Sequence, residues 1–207
     1  MTKDKSKILK PSTRILPDDW LNPLPLDSYF PKKQPVEIDL GCGKGRFLLA
    51  RAKNHPDVNF LGIDRMLRRI RKIDNRLRRR GDDNVRLLRM EAFYATAYLI
   101  PPAAIRAFYI FHPDPWPKKR HAEHRLFSAT FLDALYRTLE PGGCVHVATD
   151  HIPYYEEIRA VFLRDPRFEE IEAFTPIDEE RTDFELWYLD KGPIGRCSFR
   201  KPAALIK

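Results

Sequence analysis

Val36-Glu37-Ile38-Asp39-Leu40-Gly41-Cys42-Gly43-Lys44-Gly45 is the stretch on which the reading of this chain turns. A short apolar run ends in an acid and then in three glycines at alternate positions. Glycines here let the backbone turn sharply and let a ligand lie against it with no Cβ in the way. The spacing is GxGxG rather than GxGxxG, which speaks against a dinucleotide site. A phosphate-binding P-loop is excluded, because Lys44 is followed by Gly45 and position 38 is isoleucine. Taken alone, such a cluster can also be a tight turn that holds nothing.

Downstream the same pattern repeats. Short apolar runs at 58–64, 85–90, 105–111 and 144–150 alternate with segments of helical spacing, the signature of βαβ units and a parallel sheet. One helix is expected to begin with Phe47, Leu48 and Ala52. Another carries the stripe Met66, Ile70, Ile73, Leu77 and is closed by Gly81. Further helices are expected over 126–139, ended by Pro141-Gly142-Gly143, and over 154–163. Late strands at 168–174 and 194–200 bring the total to about seven. The expectation is an α/β fold with a mostly parallel sheet and helices on both faces, in a single domain over 35–207. Residues 1–34 hold six lysines and five prolines and read as a basic, partly disordered arm. Trp20, Leu21, Leu24, Leu26, Tyr29 and Phe30 should pack its second half on the body.

A chain of 207 residues with 43% hydrophobic residues can bury one substantial core. The net charge of +8 points to a polyanionic partner without choosing one. Its location says more: residues 65–80 hold nine arginines and lysines against one acid, Asp74, so this segment carries the whole excess. Cys42, Cys144 and Cys197 are widely spaced and form no CxxC pair, which argues against a disulfide framework or a zinc site. No apolar run approaches the length of a membrane span, and the lysine-rich start has no signal-peptide character. The chain is expected to be a cytoplasmic protein, monomeric or homodimeric, with no metal.

Asp39, Asp64 and Glu91 end three consecutive strands, at the carboxyl edge where open α/β sheets bind ligands. Any one of them alone reads as a helix N-cap; three in register read as a binding rim. An acid after the second strand can accept from ribose hydroxyls, Glu91 from the adenine amine, and Asp39 can sit beside a cationic group. Such a rim suits S-adenosylmethionine and would repel a pyrophosphate. Gly41 and Gly43 would line it. At the end of the fourth strand stands His112-Pro113-Asp114-Pro115-Trp116-Pro117-Lys118-Lys119-Arg120-His121. Three prolines in five positions fix a rigid loop that presents Asp114 and Trp116 in a preset geometry. Asp114 can accept from the base-pairing edge of a guanine, and Trp116 offers a packing surface.

The stretch PDPWPKKRH closely resembles the signature of bacterial tRNA (guanine-N7-)-methyltransferases. Ala148-Thr149-Asp150 and Thr182-Asp183-Phe184-Glu185 followed by Gly192-Pro193-Ile194 agree with it, in the same order, over roughly 36–200. The resemblance implies the class I methyltransferase (Rossmann-like) fold and methyl transfer from S-adenosylmethionine to guanine N7 in the variable loop of tRNA. It implies donor contacts at Asp39, Asp64, Glu91 and Asp114, with Asp114 also catalytic. It implies RNA contacts at Lys118, Asp150, Thr182, Asp183, Phe184 and Glu185. The chain departs from the family at Glu123-His124-Arg125, where the family tends to run Lys-Arg-Arg. Two other readings stand beside this one: an amino-group methyltransferase of nucleic acids, whose loop has the order [DN]PP[YFW], and a basic RNA-binding protein without catalysis.

Overall fold

The computed structural model describes residues 10–117 and 119–203. In chain order the elements are β1 (Arg14–Ile15), α1 (Leu26–Tyr29), β2 (Val36–Leu40), α2 (Arg46–Asn54), β3 (Asn59–Ile63), α3 (Leu67–Arg80), β4 (Val85–Leu88) and α4 (Ala92–Tyr94). There follow β5 (Ile105–Phe111), α5 (Ala129–Thr138), β6 (Leu139–Thr149), α6 (Ile152–Leu163), β7 (Glu169–Ile171), α7 (Asp183–Tyr188) and β8 (Gly195–Arg200). Single 3-10 turns occur at Lys119–His124 and Asp178–Glu180.

The strands form one sheet in the order β1-β4-β3-β2-β5-β6-β8-β7. Neighbours from β1 to β6 are parallel, and β8 is antiparallel to both β6 and β7. Order reverses between β2 and β5, and the crevice beyond their carboxyl ends is where such sheets take ligands. Both faces are covered. Along β3, Phe60 joins Leu48, Ile70, Ile73 and Leu77 on one side, while Leu61 and Ile63 join Leu40, Phe108 and Ile110 on the other. This two-sided burial explains the apolar run of β3, while β2 carries two acids on one face, Glu37 and Asp39, both buried.

The helices follow the expected periodicity with local shifts. α3 buries Ile70, Ile73 and Leu77, but Met66 lies before the helix, exposed at the cleft described below. α5 starts three residues later than expected because the Ser128 side chain accepts from the Phe131 N–H and caps it there. Pro141-Gly142-Gly143 falls inside β6, where the register with β5 shifts between Ile105 and Ala107. β7 is short, ending at Ile171.

The N-terminal arm differs most from its sequence reading. Its residues from 10 onward add an eighth strand: β1 pairs in parallel with the outer edge of β4. The acid that pins it is Asp74, turned inward from α3. Its Oδ1 accepts from the Thr13 N–H at 2.7 Å and the Thr13 hydroxyl at 2.9 Å. Ile15, Leu24, Leu26 and Phe30 then join the main core, with Tyr29 packed against it. Trp20 and Leu21 do not pack as expected; Leu21 is 84% exposed. Of the arm expected to be partly disordered, residues 1–9 lie outside the described residues. Among the described residues, no helix is long and apolar enough to cross a membrane.

Candidate active site

The carboxyl ends of β2, β3, β4 and β5 open into a cleft of about 710 Å³ whose lining includes Gly41, Asp64, Glu91, His112, Asp114 and Trp116. Of the acids read from the sequence, Asp64, Glu91 and Asp114 share this cleft. Asp39 does not reach the lining.

Asp39 lies within β2, 5% exposed, and one carboxylate oxygen, Oδ2, has no hydrogen-bond partner. Burial, and after it the charge of Asp64, push its carboxyl up to about 8. Asp64 is better served: its Oδ1 accepts from the Met66 N–H at 2.7 Å, and its Oδ2 accepts from the Gly43 N–H and the Arg69 guanidinium, both at 3.1 Å. Gly43 therefore serves the cleft by tying the glycine turn to Asp64. Gly41 faces the cleft at φ +86°, and a Cβ there would meet nothing within 4 Å. Gly45 is constrained instead by packing: at φ +77°, a Cβ would stand 2.8 Å from Ile73. Glu91 caps α4, its two oxygens accepting from the Phe93 and Tyr94 N–H groups at 2.8 Å each. Glu91 also lines the cleft, and the cap uses two of the about four acceptor sites a carboxylate has.

Opposite these acids runs the proline-rich loop. His112 and Trp116 adopt φ +51° and +42°, a conformation that costs non-glycine residues energy and persists where surrounding contacts impose it. Arg125 supplies such contacts. It donates to the carbonyls of Pro115 at 2.9 Å and Trp116 at 3.2 Å, pairs with Glu157 from α6, and lies over the Tyr154 ring. The position where the chain departs from the family signature thus includes the residue that holds the loop. Asp114 is 68% side-chain exposed and faces the Arg65 guanidinium at 3.7 Å. Lys118 falls outside the described residues.

The remaining sequence candidates gather behind His112. Its Nδ1 lies 3.2 Å from Asp150 Oδ1, and its ring centroid is 4.4 Å from that of Phe184. Burial pushes the imidazole pKa down against the pull of Asp150. Thr182 caps α7 through the Glu185 N–H at 3.0 Å. Asp183 is exposed. Glu185 points inward, 1% side-chain exposed, and pairs with Arg181 and Arg196. It orders this segment from within and presents no open oxygen to solvent. A buried network fixes the segment to α2: Glu180 accepts from Arg51 at 3.2 Å and Asn54 at 2.9 Å, and Arg46 donates to the Arg181 carbonyl at 3.0 Å. Sequence reading passed over His112, Arg125 and Glu180. His112 and Arg125 stood inside or beside a quoted motif, but Glu180 carries no local signal, because its partners are more than a hundred residues away in the chain.

Strand order, an antiparallel last pair of strands and a carboxyl-edge cleft define a class I methyltransferase fold. The antibiotic-resistance methyltransferase Kmr shares that fold, with a TM-score of 0.61 and 20% identity, covering 87% of this chain and 92% of that one. Residues 33–185 match the family described as "Putative methyltransferase", and the chain belongs to that family. The tRNA (guanine-N(7)-)-methyltransferase of Nocardia farcinica is 37% identical over 159 residues, covering 77% of this chain and 59% of the relative. That of Alkalilimnicola ehrlichii is 34% identical over 174 residues, covering 82% and 73%. The chain thus matches just under three fifths of the Nocardia protein's length.

Proposed function

We propose that this protein transfers a methyl group from S-adenosylmethionine to N7 of guanine in tRNA, at the variable-loop guanine. The observation that carries the reading is the Asp114 loop, held rigid at the switch-point crevice and facing the acids at the ends of β3 and β4 across one cleft. The names of the relatives support the substrate.

The residues fit the donor. A buried carboxylate oxygen of Asp39 without a partner suits a cationic ligand nearby. The open space at Gly41 is a cradle that a side chain would fill. Asp64 and Glu91 retain acceptor capacity for ribose hydroxyls and an exocyclic amine. When bound, the donor supplies a methyl group activated by its sulfonium.

Guanine N7 carries an unprotonated lone pair at neutral pH, so no residue of this chain needs to act as general base. What the chain contributes is alignment. Asp114 accepts from the base-pairing edge of the guanine, which orients N7. As the purine ring turns cationic on methylation, the same carboxylate binds it more tightly than the neutral base, which lowers the barrier. Asp150 and Phe184 flank His112 at the start of this loop, and with Asp183 and Lys118 they are the residues assigned to position the nucleotide being methylated.

The test is product identification. The purified protein is incubated with methyl-labelled donor and unmodified bulk tRNA, which is then digested to nucleosides and resolved by mass. N7-methylguanosine is the expected product. A label on an exocyclic amine, or none, overturns the reading.

A further inference from the structure

We infer that α3 is the surface along which the body of the RNA substrate lies, with Arg68, Lys72 and Arg79 tracking its phosphate backbone. The inference rests on the function proposed above and adds where the rest of the substrate goes.

Three observations lead to it. First, the cations form a row. At 100° per residue, Ile70, Ile73, Asp74 and Leu77 occupy the buried side, while positions 68, 72, 75 and 79 fall together on the outermost line, with Arg71 at its flank. The row starts beside the cleft, where Met66 and Arg69 form part of the lining, and runs away from it along the helix.

Second, the row is unpaired. Arg69 is held by Asp64, Arg76 by the Lys44 carbonyl, Arg78 by the Lys10 carbonyl and Arg80 by Asp82. Arg68, Arg71, Lys72 and Arg79 are exposed and make no ion pair with any described residue. The one acid of the helix, Asp74, is turned inward and spent on Ser12 and Thr13.

Third, the charge works against the helix that carries it. Like charges three and four residues apart, such as Arg68 with Lys72 and Lys72 with Arg76, destabilise a helix by about 0.2–0.5 kcal/mol per pair. The last-turn arginines suit the negative end of the helix dipole, but Arg68 and Arg69 sit at its positive end. A solvated face would interleave acids to relieve this. A polyanion laid along the row relieves it instead. An anionic membrane is the weaker occupant, since the apolar face of α3 is already buried in the core and has nothing to insert.

The triple variant Arg68→Gln, Lys72→Gln, Arg79→Gln keeps helix propensity nearly constant. Binding of unmodified tRNA is measured against salt, with donor affinity by calorimetry and the melting temperature as controls. Three lost phosphate contacts lower the salt slope by about 2–3, so between 50 and 200 mM salt the parent loses about 20–40-fold more affinity than the variant. Donor affinity stays at the parental value and the melting temperature holds or rises. A comparison variant, Lys32→Gln with Arg164→Gln, removes exposed charge at other sites and is expected to leave the slope within one unit of the parent. A triple variant with the parental slope overturns the inference, as does an equal loss per charge in the comparison variant, or tight parental binding to phosphatidylserine vesicles that competes with tRNA. A parent that binds tRNA without salt dependence, or methylates no guanine N7, overturns the functional reading beneath it. N7 methylation that persists while α3 proves irrelevant removes only the surface.

Discussion

His112 Nδ1 stands 3.2 Å from Asp150 Oδ1, so the residue that opens the proline-rich loop is tied to the residue that follows β6. The His112 backbone N–H also donates to the Ala148 carbonyl at 2.7 Å. Burial pushes the imidazole pKa down, and because a carboxylate only accepts, Nδ1–H is the donor and Asp150 the acceptor. His112 is a positioning residue. His112→Phe keeps the ring against Phe184 and removes the donor; His112→Asn keeps a donor near the place of Nδ1. The phenylalanine variant should lose about 10- to 100-fold in kcat at saturating tRNA, the scale of a misplaced binding group, and the asparagine variant should recover part of it. Donor affinity, measured separately, should not move. Full turnover in His112→Phe would contradict the role.

Asp114→Asn keeps shape and removes the charge that favours the cationic product. A fall in kcat of about 10²- to 10³-fold is expected. Because the side chain is exposed and its sole ion pair among the described residues, with Arg65, is a loose one, the melting temperature should stay within about 2 °C of the parent. Near-normal methylation by the variant removes Asp114 from the mechanism.

Asp64→Ala takes away the acceptor for the Gly43 and Met66 N–H groups as well as the proposed ribose contact. A charged acceptor of this kind is worth about 1.5–3 kcal/mol, so the donor dissociation constant should rise by roughly 10- to 150-fold. Calorimetry decides it, and an unchanged constant takes Asp64 out of the site.

Asp39 predicts a pH dependence. Its folded pKa of about 8 lies above the ordinary value of 3.8, so the folded state holds the proton more tightly than the unfolded chain. The stability this group provides is full below about pH 4 and is lost as pH rises towards 8. Other groups, the buried cysteines among them, also titrate in the unfolded chain near this range, so the effect is isolated by comparing the parent with Asp39→Asn between pH 7 and 8.5. Urea unfolding should show stability falling across that window in the parent and a flatter course in Asp39→Asn. Parallel curves for the two would show that Asp39 is ionised throughout. Since a cationic donor favours the ionised carboxylate, its binding to the parent should release a fraction of a proton at pH 7, visible as a buffer-dependent heat.

Much of this was legible before any coordinates. Short apolar runs and the helical spacing between them placed the sheet and its helices, because a doubly covered parallel sheet leaves apolar runs. The proline loop was legible because its geometry is written in its own residues. Three things were not. β1 is two residues long and its hold on the body is Asp74, which looked from the sequence like the lone acid of a basic run. Asp39 read as a rim residue, although its place within β2 keeps it beneath the cleft. Glu185 read as an RNA contact, yet Arg181 and Arg196 turn it inward, and Arg196 becomes its neighbour only when β8 folds back beside β6. Signals carried by partners distant in the chain are invisible to local reading.

The bond between Thr13 and Asp74 joins residues 61 positions apart, and it has a consequence for the order of events during synthesis. The arm leaves the ribosome before β3, α3 and β4 and has no place to go until they have followed and packed. Its docking closes the longest early loop of the chain, and loop closure of that kind is paid before any contact repays it. Residues made before their partners are therefore among the last to settle, and a chain shortened past Ile15 should leave the parallel sheet formed but the outer edge of β4 open to other strands.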